Sequence, residues 1–160
     1  MPRWTGPTAL GLTVLAVGLT GYLTVTHYTD PAALACPDSG VVNCTLVTTS
    51  SWSVILGVPV AVLGLGWALV VLAMDLPWVW RSPPEWLATA RLAATGAGAA
   101  MVLYLVYVEL FRIGAICLWC TGVHITAVLL FAVTLAARSL ARQPSAPGSA
   151  PVGIRTGSGR

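Results

Sequence analysis

The sequence predicts an all-α integral membrane protein, a bundle of four transmembrane helices with both termini in the cytoplasm. Three observations carry that expectation: a scarcity of charge, four apolar runs of spanning length, and a one-sided placement of arginine. Of the 160 residues, 57% are hydrophobic and only 8% are charged, and the mean hydropathy is +0.85. A soluble domain is about 25% charged, so a water-soluble globule of this composition would lack the surface to stay dissolved. Lipid tails, in contrast, cover apolar side chains directly. The length allows one domain. All eight basic residues are Arg, a bias that fits a GC-rich bacterial genome. The net charge of +3 matters less than where those residues sit, and no nucleic-acid partner is expected.

A spanning helix needs roughly 20 apolar residues. Residues 10–28, 54–74, 92–111 and 116–137 each meet that test, nearly free of charge and rich in Leu, Val and Ala. The first two runs are separated by a polar stretch, 29–53, which contains Cys36, Pro37, Asp38, Gly40, Asn43 and Cys44. The second and third are separated by 75–91, with Pro77, Trp78, Trp80, Arg81 and Trp86, and the third and fourth by a very short link, 112–115. Ala93, Ala94, Gly96, Ala97, Gly98, Ala99 and Ala100 give the third run a small-residue surface suited to close helix contact. From Arg138 the chain is Arg, Pro, Gly, Ser and Ala, which cannot build a core and is expected to be disordered. The domain division is therefore a membrane domain over 1–137 and a cytoplasmic tail over 138–160.

Orientation follows from arginine. Arg3, Arg81, Arg91, Arg138, Arg142, Arg155 and Arg160 fall in the N-terminus, the middle loop or the tail, and only Arg112 falls opposite, beside Glu109. Four spans place the first three segments on one side, the cytoplasm, and all four cysteines at the outer, oxidising face of the cell membrane, where disulfides persist. Trp4, Trp78, Trp80 and Trp86 would ring the inner interface, Trp52 and Trp119 the outer. Ala33-Leu34-Ala35 looks like a signal-peptidase site, but the preceding apolar run exceeds the usual 7–15 residues of a cleaved signal, so the first helix is expected to remain.

Cys117-Leu118-Trp119-Cys120 places two thiols three apart on one helix face, within the reach of a disulfide. A Cys in the first helical turn feels the positive end of the macrodipole, which favours the thiolate that attacks disulfides. The same pair also reads as two small buried hydrophobes. A c-type haem site would need His after the second Cys, where Thr121 stands. A zinc site would need all four cysteines without a second Cys-x-x-Cys, and no metal is expected. Cys36 and Cys44 enclose a short polar loop, either a structural staple worth roughly 2–3 kcal/mol or an accessible pair in a relay. Glu109 and Arg112, three apart, are expected to form an interfacial ion pair, and His27 to be interfacial. His124, one turn after Cys120 inside a spanning run, suits a hydrogen bond to a bound acceptor or a helix-to-helix contact.

The run from Cys44 through Ser50, Trp52 and Gly57 to Pro59 resembles the loop-to-second-helix signature of the vitamin K epoxide reductase family. So does Glu109-Leu110-Phe111 followed by Ile116-Cys117-Leu118-Trp119-Cys120 and His124. The resemblance covers residues 22–131, and it rests on order: a separated Cys pair in the first outer loop, then Cys-x-x-Cys opening the last helix. It implies that Cys117 and Cys120 form the active-site disulfide, with Cys120 nearest a quinone of menaquinone or ubiquinone type. It implies further that Cys44 exchanges with Cys117, and that Cys36 forms the mixed disulfide with a separate thioredoxin-like extracytoplasmic protein. Ser50 would end a short helix covering the site. His124 stands where relatives place a Tyr or another residue near the quinone, a departure from the better-known donor. The activity implied is a membrane thiol–disulfide oxidoreductase supporting disulfide formation. The alternatives are reduction of a quinone epoxide by the same cysteines, or a non-catalytic membrane protein with two structural disulfides.

Overall fold

The computed structural model describes residues 4–36, 39–81 and 84–142, so the expected tail beyond Arg142, with Pro37 and Asp38, lies outside the described residues. The described residues are mostly helical. Long helix α1 (Thr5–Thr29) is followed by a 3₁₀ turn at Pro31–Ala33, short helix α2 (Cys44–Thr49), a second 3₁₀ turn at Ser51–Ser53, and a two-stranded hairpin of β1 (Val54–Ile55) and β2 (Val58–Pro59). Then come α3 (Val60–Asp75), α4 (Pro77–Arg81), α5 (Glu85–Val108), a π-helical turn at Glu109–Ile113, and α6 (Leu118–Ala141). Three helical segments, Thr5–Thr29, Glu85–Ile113 and Leu118–Ala141, are long and apolar enough to cross a membrane, and α3 is a shorter apolar helix of 16 residues.

The second expected span, 54–74, is corrected at its start. Residues 54–59 form the hairpin, with positive φ at Leu56 (52°) and Gly57 (82°), the backbone hand that tight hairpin turns require. Pro59 is the N-cap of α3; its fixed φ and missing N–H suit a helix start and not a helix interior. The last helix is also shifted, beginning at Leu118 and running to Ala141, four residues beyond the expected end at 137. The link before it is set by Gly114, whose φ of 71° ends the π turn in the left-handed region that glycine enters without steric cost.

Large apolar side chains cover the outside, and several polar ones lie inside beside apolar residues such as Leu23, Val71 and Leu130. Val14, Leu15, Leu69, Val70, Leu103, Leu129 and Leu135 are exposed, while Thr13, Thr20, Asp75, Arg91, Thr95, Glu109 and His124 are buried. On α1 the buried positions Thr5, Ala9, Thr13, Ala16, Thr20, Leu23 and Thr26 recur every three or four residues, giving one face of small residues against α3 and α6. Buried threonine hydroxyls are satisfied within their helices, Thr20 donating to Ala16 O at 2.7 Å and Thr95 to Arg91 O at 3.0 Å, so burying them leaves no open donor. The expected small-residue surface of α5 serves a specific contact: a Cβ on Gly98 would fall onto the Trp67 ring. Trp67 in turn donates its indole N–H to Ala94 O at 2.8 Å, pinning α3 to α5.

At the end of the bundle where α3 meets α4, Asp75 and Arg91 form an ion pair, Nε to Oδ1 3.1 Å, with side chains 1% and 2% exposed. Thr13 donates to Asp75 Oδ2 at 2.6 Å and the Trp80 indole to Oδ1 at 3.2 Å. The Arg91 guanidinium stacks over the Trp80 ring, 4.2 Å from its centroid, and Arg91 Nη2 donates to Met74 O. Arg91 is therefore a buried helical side chain of the bundle and not a loop cation, and Trp80 packs against it. Removing one partner of such a pair strands a buried charge, at a cost of about 3–5 kcal/mol, whereas replacing both by apolar residues is often neutral. Arg91→Met is accordingly expected to lower the apparent melting temperature in detergent, and Asp75→Leu with Arg91→Met to recover most of the loss. An Arg91→Met protein as stable as the wild type would contradict this role.

Candidate functional site

The site is assembled at the other end of the bundle, where the loop after α1 folds back onto the start of α6. Ile116 N–H donates to Val41 O at 2.8 Å, and Asn43 N–H donates to Ile116 O at 3.1 Å. These bonds make Val42 and Ile116 a parallel β-bridge. Asn43 is also the N-cap of α2, its Oδ1 accepting from Leu46 N–H at 2.8 Å, a residue type favoured there because its side chain satisfies an orphan helical donor. One residue further on lies Cys44, and one residue beyond Ile116 lies Cys117. The bridge therefore sets the two cysteines side by side. Cys44 (1% exposed) and Cys117 (0%) fall in one core cluster with Leu23, Leu34, Val47 and Ala115.

The other side of the loop is clamped by aromatics. Trp119 donates its indole N–H to Ala35 O at 3.0 Å, and Ala35 N–H donates to the Tyr22 hydroxyl at 3.3 Å. The rings of Tyr22 and Trp119 meet with centroids 4.6 Å apart. Trp119 thus anchors the residue next to Cys36. Cys36 and Cys44 are joined in a disulfide with Cα atoms 6.1 Å apart. The loop was expected to be exposed as a whole; instead Cys44 is sealed in the core and Cys36 is the half-buried member of the pair. Cys117 and Cys120 are separate thiols.

Cys117 is not within the first turn of α6 but is its N-cap, in extended conformation (φ −98°, ψ 118°). Its Sγ takes the place of the usual capping oxygen and accepts the Cys120 N–H at 3.2 Å. The Cys117 thiol is held below the usual thiol range, first by the hydrogen bond from the Cys120 thiol and further by the backbone N–H groups of Cys120 and Trp119. Burial and the charge of Glu109 oppose that shift.

Cys120 points elsewhere. It lines a cavity of about 260 Å³ enclosed by α1, the segment after α2, α3, α5 and α6. Ser50, the C-cap of α2, and His124, one turn after Cys120, line the same cavity, while Cys117 does not. The walls are mostly apolar, with Leu23, Val47, Leu63, Trp67, Met101 and Leu105 among them. Sparse polar groups in an apolar cleft are the usual make-up of a small-ligand site. Two lining residues were missed in the sequence. His27, expected to be interfacial, faces the cavity from α1. Glu109, expected to pair with Arg112, is 6% exposed and lines the cavity, with no ion pair to Arg112 among the described residues. Arg112 instead lies over the Trp52 ring at 5.5 Å. The signal for Glu109 was its position, since an acid within an apolar span is costly unless it has a task.

Two cysteine pairs, one disulfide-bonded and one reduced, side by side at the end of an apolar bundle and opening on an apolar cavity, define a membrane thiol oxidoreductase. A model of the Vitamin K epoxide reductase family matches residues 7–135, most of the chain, and the protein belongs to that family.

The thiolate is the form stabilised by the Cys120 donor, so removing that donor must raise the Cys117 thiol. With Cys36 and Cys44 replaced by Ala, thiolate absorbance followed against pH is expected to rise at lower pH when Cys120 is present than in Cys120→Ala. A midpoint unmoved by Cys120→Ala would show that the Cys120 thiol does not govern Cys117.

Proposed function

We propose that this chain is a four-helix membrane oxidase, active at the outer face of the cytoplasmic membrane with both termini inside. It would take electron pairs from a separate thioredoxin-like protein and pass them through Cys36/Cys44 and then Cys117/Cys120 to a membrane quinone, supporting disulfide formation. The observation that carries this reading is the division of surroundings at the two thiol pairs. Cys117 is sealed against Cys44, whereas Cys120 opens on the cavity. Arginine placement supports the orientation, and α3 would complete the four spans. At about 1.5 Å per residue, α3 is about 24 Å long, so its membrane crossing would draw on the apolar hairpin that precedes it.

The residues fit a quinone head group as the electron-accepting substrate. The cavity is apolar and close to the roughly 300 Å³ at which small-ligand pockets begin, and Leu63 on its wall is 42% exposed, so an apolar tail could leave toward lipid. His124 and Ser50 offer the polar contacts. A partner thiolate would attack Cys36, the accessible sulfur, releasing Cys44. The Cys44 thiolate would then attack Cys117 of a Cys117–Cys120 disulfide, and Cys120 would leave as the thiolate facing the cavity. The partner's second thiolate would then release Cys36, and the Cys36 thiolate would attack Cys44 of the Cys44–Cys117 bond, closing the loop disulfide and freeing Cys117. A loop pair oxidised with Cys117 and Cys120 reduced corresponds to the state that follows these exchanges.

Purified protein with a reduced thioredoxin-like donor and a soluble quinone provides the test. Cys120→Ala is expected to abolish quinone reduction with every donor. Cys36→Ala should abolish it with the protein donor yet leave part of it with dithiothreitol. Equal loss with both donors in Cys36→Ala would mark the loop pair as a staple. In the same assay His124→Phe, which loses a hydrogen bond worth about 1 kcal/mol, should raise the quinone KM about fivefold to tenfold. His124→Tyr should recover much of that loss, and an unchanged KM in the Phe variant would assign His124 to packing.

A further inference from the structure

We propose that Glu109 is the proton-transfer group of the cavity, carrying the proton of Cys117 to the electron acceptor. The inference rests on the reading above, that Cys117 and Cys120 reduce a quinone. The chemistry poses a transport problem. As the Cys117–Cys120 bond forms, two S–H bonds break and the sulfurs give up two electrons. The quinone takes up those electrons and two protons, forming two O–H bonds. Cys120 lines the cavity and has a direct route for its proton. Cys117 is 0% exposed and does not line it, so its proton needs a carrier.

Glu109 has the placement for that task. Its side chain lines the cavity together with Cys120 and His124. Its charge bears on the Cys117 thiol. It opens the π-helical turn whose return brings Gly114 N–H and Ala115 N–H onto the Glu109 carbonyl, at 2.9 and 3.2 Å. The backbone is thus folded so that Glu109 lies beside the segment leading into Cys117. π-Helical turns are frequent at functional sites. Among the described residues the carboxylate has no hydrogen bond or ion pair of its own, and Arg112, the nearest cation in sequence, is engaged over Trp52. A buried acid with no partner is a poor structural element, but it is free to take a proton and release it. The other titratable groups lining the cavity are His27 from α1, and Cys120 and His124 from α6. No arginine lines the cavity. In the step, the Glu109 carboxylate takes the Cys117 proton as the disulfide closes and gives it to the second quinone oxygen, returning to its starting form.

The test uses full-length protein in detergent, pre-reduced, with single-turnover quinone reduction followed across pH. Thiol exchange between Cys36/Cys44 and a reduced thioredoxin-like donor is measured alongside. Glu109→Gln, which keeps size and removes proton transfer, is expected to slow quinone reduction on the order of 10²-fold. It should also remove the acidic limb of the wild-type pH–rate profile and leave loop exchange unchanged. Glu109→Asp should recover part of the rate together with the acidic limb. Wild-type rates in Glu109→Gln, or equal losses in both variants with the pH profile intact, would overturn the proposal while leaving quinone reduction standing. Wild-type protein that reduces no quinone at all would overturn the underlying reading and this proposal with it.

Discussion

The β-bridge at Ile116 is the constraint on which the rest of the site depends. Two backbone hydrogen bonds, from Ile116 N–H to Val41 O and from Asn43 N–H to Ile116 O, convert a polar loop into a lid on the end of α6. Each bond alone contributes only about 1 kcal/mol net. Their value is positional, because the neighbouring residue on each strand is a cysteine. Docking also buries Cys44 and Cys117 away from water. The aromatic clamp of Tyr22 and Trp119 on Ala35 extends the same lid to the flank of Cys36, keeping that sulfur at the rim.

Polar groups are concentrated at the two ends of an otherwise apolar bundle, and the two ends differ in kind. The Asp75–Arg91 cluster is closed: Thr13, Trp80 and the Met74 carbonyl engage the charges from several directions. Such an arrangement fixes helix ends relative to one another. At the cysteine end, Glu109 and His124 are buried without that engagement and face a cavity. In a lipid-facing bundle, satisfied polar groups hold the fold, whereas a buried polar group without a partner is costly.

Much of this was legible in the sequence because the signals were chemical and local. Apolar runs of spanning length marked all the long helices, and the order of the cysteine pairs marked the family. What escaped was geometry set by backbone punctuation and by contacts distant in sequence. Residues 54–59 read as helix because they are apolar, although Gly57 and Pro59 already favoured a turn and a helix start. Glu109 and Arg112 read as a pair because helical spacing brings residues three apart together, but the chain there is a π turn and Arg112 lies over Trp52 instead. Asp75 and Arg91 read as loop residues because nothing local connects them across the intervening segment. His27 could not be assigned to the cavity until the packing of α1 against α3 and α6 was known.

The central claim is that electrons cross from the loop pair to the Cys-x-x-Cys by direct exchange between Cys44 and Cys117. Cys36→Ser with Cys120→Ser leaves only those two cysteines, each without its usual partner. Mild oxidation followed by proteolysis and mass spectrometry of the unreduced peptides reads out the bond directly. The account predicts a Cys44–Cys117 disulfide within one chain as the main product. Both cysteines remaining as free thiols, or linking only between chains, would contradict it.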